Sequence, residues 1–469
     1  MKPTRSAADE FVGVNFGDLR LDERLKRLVP ALAARPSDSF PEATGSVSAL
    51  EATYRFLGNE KVTPERILAP HVEATIGRAL RCERVVIAHD TTELIFPGKS
   101  RREELGWSKR GNQGFLAHVS LAISRQAAAI PLGVLATTPF FRTGEPKRSA
   151  RAKKVVGVET ESARWRKSVH ETESLFPSDF RPIHVMDREA DDYELISDLC
   201  EQKMRFVVRA SHDRVNCRRQ EDGKSGKLLE VLSGLSLVCE REVPISKKTQ
   251  KPFPIRRKGE KSRTARLARL RISATAIIVP RSTYALRECL KEIALNCVYA
   301  TEIDAPPEVD SIEWMLFTTE PIDTEQNVID IVDDYRARWR IEEFFKALKT
   351  GCAYEKRQLE SRVSLLTALA VFTPIAWQML TLRTLHRLEQ DVSVECALTK
   401  TQIEVLTATS KRELPDAMTA KEALTAIAAL GGHIPNNGAP GWIVLSRGME
   451  NLLMMEIGWV AARGRCDQS

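Results

Sequence analysis

The chain has 469 residues, 43% of them hydrophobic and 28% charged, and carries a net charge of +7. That balance excludes a disordered or collagen-like chain and leaves room for about two to four folded domains. Nine cysteines, odd in number and without a CxxC pair, point to reduced thiols in a cytoplasmic protein and argue against a disulfide framework or a structural zinc site.

The N-terminal segment MKPTRSAADEFVGVNFG has no apolar run, so no secretory signal is expected. The first 75 residues read as helices: Leu21, Leu25, Leu28, Val29 and Leu32 recur at helical spacing, and Thr63-Pro64-Glu65 predicts a helix start, with Pro70 expected to kink or split that helix. Ten basic and eleven acidic side chains in residues 1–75 cancel, so charge alone does not mark this region as DNA-binding. ERVVIAHDTTELIF (83–96) reads as a strand entering Asp90, and SLAIS and IPLGVLATTPF supply further strands. Residues 159–175 read as helix; RPIHVMDREADDYELISDL (181–199) reads as strand, Asp187, then helix; RFVVRA (205–210) is another strand. This alternation predicts an α/β sheet.

From 213 to 318 helices nearly vanish, and LSLVCEREVPI, ARLARLRISATAIIV, LNCVYATEI and EWMLFTTEPI read as strands. Between Lys247 and Arg271 eleven Lys or Arg face one acid, Glu260, so this strip carries 11 − 1 = +10 and the rest of the chain 7 − 10 = −3. Such a strip is either a nucleic-acid footprint or a solvated loop. Helical character returns at Thr324. LLTALAVFTPIAWQMLTL (365–382) is uncharged and just long enough for a membrane span, but three Thr, Gln378 and Pro374 predict a buried core helix instead. The last hundred residues read as mostly helical, with Ala423, Leu424, Ile427, Ala428 and Leu430 as a small-residue face expected to pack against a second copy or, alternatively, on the rest of the chain's own core.

The stretch YRARWRIEEFFKALKTG (335–351) predicts one helix from Tyr335 to Lys349. At about 100° per residue, its apolar residues share one arc while Tyr335, Arg338, Glu342 and Lys349 share another. A salt-bridged surface helix explains Glu342 and Lys346 alone, as an i, i+4 pair. A phosphate site would use the whole alignment, the carboxylate holding a divalent metal and the cations meeting phosphate oxygens. Asp90 and Asp187 are read as residues at strand ends, where α/β sheets place functional side chains. Asp also starts turns and caps helices, and Glu189, Asp191 and Asp192 leave the choice around Asp187 open.

Together, Asp90 in HDTTEL, Asp187 in MDREADD and the spacing Tyr335-x2-Arg338-x3-Glu342-x6-Lys349 resemble the acidic triad and Y-R-E-K signature of DDE transposases, closest to the IS-four insertion-sequence group that includes the Tn-five transposase. TYRFLGN, RFVVRA, EWMLFTTEP and a Leu-Gly-Gly turn at 430–432 extend the likeness. The resemblance implies an α/β fold with an RNase H-like mixed-sheet core interrupted by a β-rich insertion. The implied parts are a helical end-binding domain (1–75), the core (76–212 and 319–384), the insertion (213–318) and a helical dimerisation region (385–469). It also implies cut-and-paste transposition with Mg²⁺ (Mn²⁺ as possible substitute), acting on double-stranded transposon-end and target DNA as a homodimer, with no membrane. Asp90, Asp187 and Glu342 would be the metal ligands. Tyr335, Arg338, Lys346, Lys349 and Arg209 would contact DNA, and Trp314 would stack on a base flipped from a terminal hairpin. On the residues alone Trp314 reads as a buried sheet tryptophan. The alternatives are an RNase H-like nuclease without strand transfer, a non-catalytic DNA-binding regulator, and a small-molecule α/β enzyme, though no Gly-rich phosphate loop supports the last.

Overall fold

A computed structural model describes residues 6–466 apart from 99–101, 103, 108–111, 126–128, 142–160, 246–263, 284, 308, 389–391, 435 and 437. The chain divides into two compact units, residues 1–156 with 339–469, and residues 157–338.

The first unit begins with helices α1 (Leu19–Ala34), α2 (Phe40–Thr44), α3 (Val47–Leu57) and α4 (Pro64–Ala79). Leu25, Leu28, Val29 and Leu32 are the buried stripe of α1, as their spacing predicts. Thr63 caps α4, its side chain accepting from Arg66 N, and Pro64 opens it. Pro70 lies inside α4 without splitting it. Strands β1 (Val85–Ile95), β2 (Gly114–Ser124) and β3 (Ile130–Phe140) then form an antiparallel meander in the order β3-β2-β1.

The second unit contains α5 (Glu161–Glu173), β4 (Ile183–Met186), α6 (Tyr193–Glu201), β5 (Arg205–Arg209), β6 (Cys217–Arg219), β7 (Ser225–Gly226), α7 (Leu228–Leu232), β8 (Cys239–Ile245), β9 (Arg266–Pro280), β10 (Glu292–Ile303), β11 (Glu313–Thr318) and α8 (Glu325–Ala337). Its strands form a large mixed sheet in the order β4-β5-β11-β10-β9-β6-β7, with β8 also on β9; β4 and β5 run parallel, the other pairs antiparallel. The β-rich stretch after residue 213 therefore shares one sheet with β5, through β11. Phe206, Val208, Phe317, Cys297 and Leu199 centre its core. Most of the basic strip, 247–263, lies outside the described residues, as does nearly all of 140–158. At the strip's described end Arg266 pairs with Glu302, and Arg269 with Asp304 at 3.1 Å. Those two cations already have acidic partners.

The chain returns to the first unit with α9 (Trp339–Lys346), α10 (Arg362–His386), α11 (Lys400–Thr409), α12 (Ala420–Leu430) and α13 (Trp442–Cys466). α10 is the core helix the sequence predicts: 83% of its most apolar window is buried, against α4, β3 and α13. Ala423, Leu424, Ile427 and Ala428 of α12 are also fully buried, in a cluster with Leu445, Met449 and Leu452 of α13. That face is spent inside the chain and is not free for a second copy, which corrects the sequence-based expectation. The two helices meet at glycine: a Cβ on Gly431 would lie 1.9 Å from Val444 O, and one on Gly448 1.8 Å from Ile427 O. Only glycine allows that approach, which explains the Leu-Gly-Gly turn.

Two buried carboxyls in this unit differ in charge state. Burial alone would raise Glu10, but His71 (2.5 Å) and Arg78 (2.9 Å) hydrogen-bond to it and hold it at about 2. Glu450 on α13, 5% exposed, is pushed up to about 7 by burial and by the neighbouring Asp9 charge. A raised folded-state value favours the fold while the group is protonated, and that advantage is lost as pH rises from the unfolded value of 4.5 through 7. The loss is of the order of 3 kcal/mol. Glu450→Gln is therefore expected to match the parent chain at pH 4.5 and to exceed its stability at pH 8, as read by urea denaturation. Equal stability at both pH values would refute the assignment.

Candidate active site

In the second unit one sheet edge collects most of the predicted DNA-contacting residues. β4 and β5 are parallel, with Met186 opposite Val208, so the next residues, Asp187 and Arg209, end neighbouring strands about 5 Å apart. Asp187 stands one residue past β4, as expected of a strand-end carboxylate. Its Oδ1 accepts from Glu189 N at 2.8 Å, capping the short turn Arg188–Ala190. β11 runs antiparallel to β5 with Leu316 opposite Arg209, which brings Trp314 to the same edge. Trp314 is half-buried and meets Tyr335 of α8 edge-to-face, ring centroids 5.3 Å apart. The Arg338 guanidinium lies 6.0 Å from the centre of the Tyr335 ring. Arg209 donates from Nη2 to Glu313 O at 2.8 Å. Burial lowers its pKa, the neighbouring Tyr335 opposes that, and the nearby charges of Arg188 and Arg338 lower it further. Arg188, Arg209 and Arg338 gather positive charge at the edge where Asp187 stands, and such clustering suits an anion.

Arg188, which sequence reasoning did not single out, belongs to this cationic group, and its position beside Asp187 was the available signal. Asp191, 6% exposed, accepts from Ser211 N (2.6 Å) and His212 N (3.1 Å) and pairs with Arg214 at 2.6 Å. It thereby ties the turn after β4 to the loop after β5.

The first unit holds the other two predicted carboxylates. Asp90 does not end its strand: β1 continues to Ile95, because Thr91–Ile95 keep pairing with His118–Gly114 of β2. Asp90 is 7% exposed, opposite Val119, and its Oδ1 accepts from Thr91 N at 2.8 Å. α9 packs against β1 and carries Glu342, half-buried in its first turn. The Lys349 ammonium donates to Glu93 O of β1 at 2.6 Å, fastening the end of this helical segment to the strand that holds Asp90. Lys346 is exposed, 5.9 Å from the Trp339 ring centre.

The single helix predicted over 335–349 is interrupted twice. α8 ends at Ala337, where Arg338 N bonds three residues back, to Tyr335 O, at 3.2 Å. Ala347–Gly351 form a π-turn, with Cys352 N on Ala347 O at 2.7 Å. A π-turn adds a residue to the turn and rotates the side chains beyond it, so Lys349 leaves the arc expected from a straight helix.

Carboxylate oxygens are the donors that suit a hard divalent cation, and Mg²⁺ takes only one or two of them, completing its shell with water and substrate phosphate. Among the described residues no three His, Cys, Asp or Glu side chains are grouped to hold one ion. Asp90 and Glu342 supply carboxylate oxygens of that kind from β1 and α9, which pack together in one unit.

Residues 153–371 match the family model described as the transposase DDE domain, and residues 4–62 that described as transposase DNA-binding. Residues 153–371 are similar to a transposase DDE domain. Domains of this kind use divalent metal ions. The DDE match spans Asp187, Arg209, Trp314, Tyr335, Arg338, Glu342, Lys346 and Lys349, while Asp90 precedes it. The DNA-binding match covers most of the N-terminal helices, whose balanced charge gave no such sign. A solved piggyBac transposase synaptic complex with hairpin DNA is similar at 9% identity and a TM-score of 0.32, over 88% of this chain and 61% of that one. A likeness at that level assigns neither fold detail nor function. The chain spans 61% of the length of that neighbour.

Proposed function

We propose that this protein is a cut-and-paste DNA transposase of the IS-four group, working in the cytoplasm with Mg²⁺ on the ends of its own insertion sequence. The observation that carries the reading is the sheet edge where Asp187 stands beside Arg209, Tyr335, Arg338 and Trp314, within a DDE-domain match. Asp90, Asp187 and Glu342 are proposed as the metal-holding carboxylates of an RNase H-like core. Bound divalent metal supplies an activated water and charge stabilisation at the leaving oxygen. Arg338 and Arg209 neutralise phosphate oxygens, Tyr335 packs between Trp314 and Arg338 at the same edge, and Lys349 holds the helix end on β1. Residues 1–75 are proposed to bind the transposon end, and 213–318, with the basic strip, to add phosphate contacts. The decisive experiment incubates purified protein with DNA carrying the sequences that flank its own gene. Mg²⁺-dependent nicking followed by joining to target DNA is expected; nicking without joining would make it a nuclease.

Trp314, exposed enough to be reached from the edge and braced by Tyr335, is proposed to stack on a flipped base during hairpin formation, where stacking on an aromatic ring contributes about 1–3 kcal/mol. Trp314→Ala is expected to leave first-strand nicking within about twofold and to slow hairpin formation by roughly tenfold or more. An equal loss in both steps would return Trp314 to a packing role.

A homodimer is also proposed, through a different surface from the α12 face. The last turns of α13 expose Met454, Ile457 and Val460 at 66%, 64% and 56%, a patch that a second copy can cover about a two-fold axis. Changing these three to Glu is expected to leave a folded chain that binds one DNA end but forms no paired-end complex. Paired-end complexes from that variant, resolved with two DNA lengths, would exclude this surface.

A further inference from the structure

On β1 and β2, the sheet face opposite Asp90 carries an unusual group. His89 and Ser120 are Cα partners, as are Thr91 and His118. His89 Nδ1 and Ser120 Oγ lie 3.0 Å apart, and His118 Nδ1 and Thr91 Oγ1 2.9 Å apart, both within hydrogen-bond distance. The imidazoles are 0% and 1% exposed and stack at 6.0 Å.

Over the first half of β1 little else specifies this strand pairing. Thr91–Ile95 alternate between buried and half-buried, but Val85–Asp90 are buried on both faces, as is most of β2, so there alternation of apolar and polar residues does not choose a register. The connection between β1 and β2 runs through residues 96–113, too long for a tight turn to set it. A slip of one residue moves every side chain to the other face. It would turn Asp90 away from its present face and set His89 opposite Val119 or Leu121 in place of Ser120. Each buried imidazole would then lose its hydroxyl partner, a penalty that apolar pairs do not impose.

We propose that the crossed pairs His89–Ser120 and Thr91–His118 are positioning residues that lock the register of β1 on β2 and thereby choose the face on which Asp90 stands. The consequence for catalysis rests on the role proposed for Asp90; the register itself does not.

The test reads register by disulfide mapping. Glu93→Cys with Leu116→Cys reports the native pairing, since these positions are Cα partners. Glu93→Cys with Ala117→Cys or with Phe115→Cys reports a one-residue slip, because in the native register those side chains point to opposite faces and cannot join. Replacing one pair by apolar residues (Thr91→Val with His118→Leu) or both (adding His89→Leu with Ser120→Ala) is expected to lower the native disulfide at least twofold and to create a slipped one. Exchanging partners, His89→Ser with Ser120→His, keeps the chemistry and is expected to restore native pairing. Native disulfide alone in the apolar variants would overturn the proposal, as would slippage in the exchanged variant. If the fourfold variant does not fold, the single-pair variant decides by the same readout. DNA cleavage measured alongside separates the two readings: slipped register with unchanged cleavage would remove Asp90 from the site while leaving the register lock standing.

Discussion

Glu342→Gln is expected to leave binding to the protein's own terminal DNA within about twofold and to lower Mg²⁺-dependent cleavage by two or more orders of magnitude. The amide keeps the shape of the side chain and removes the charge, so the half-buried first turn of α9 and its packing on β1 should persist. Asp187→Asn should behave alike, with one difference: its side-chain oxygen can still accept from Glu189 N, so the turn after β4 is retained. Cleavage on a linear end fragment and gel-shift affinity, measured on the same preparations, check both. Cleavage within threefold of the parent in either variant would remove that carboxylate from the proposed mechanism. A parallel loss of binding and cleavage would instead mark a folding defect.

The second large effect concerns stability. Arg357 is 3% exposed and bonds no carboxylate among the described residues; its guanidinium donates to the carbonyls of Asp38, Pro36 (2.5 Å) and Cys352 (2.5 Å). It lies 4.4 Å from the Phe372 ring centre and 5.2 Å from that of Phe40. Burial lowers its pKa. One side chain thus fastens the loop after α1 to the residue after the π-turn. Arg357→Met fills similar volume but strands three carbonyls, two of them in buried bonds, which should cost about 3 kcal/mol. Arg357→Lys should recover only part, since an ammonium cannot reach three carbonyls as a planar fork does. Urea denaturation of the full chain measures this; a loss below about 1 kcal/mol would show that water or backbone movement satisfies those carbonyls.

Local periodicity and capping made most elements legible. Thr63-Pro64 starts α4 where the rule predicts, β1, β4, β5 and β9 to β11 fall on the apolar runs, and α10 is a core helix because Thr, Gln378 and Pro374 break its apolar surface. The motif spacing around Tyr335 and Glu342 pointed to transposase chemistry, and the domain matches agree. Those features depend on neighbours within about a dozen residues, which a single sequence displays directly. What the sequence left open depends on partners distant along the chain. Asp90 looked like a strand end because the residues after it are polar, yet pairing with β2 extends the strand to Ile95. The helix through Arg338 looked continuous because it holds no Pro or Gly before Gly351, and only the altered hydrogen bonds at Arg338 and Ala347 interrupt it. The small-residue face of α12 suited either a second copy or α13, and the close approach at Gly431 and Gly448 decided for α13. Amino-acid order states which surfaces must be covered; the tertiary contacts decide by what, because burial rewards any complementary apolar face equally until backbone geometry admits only one.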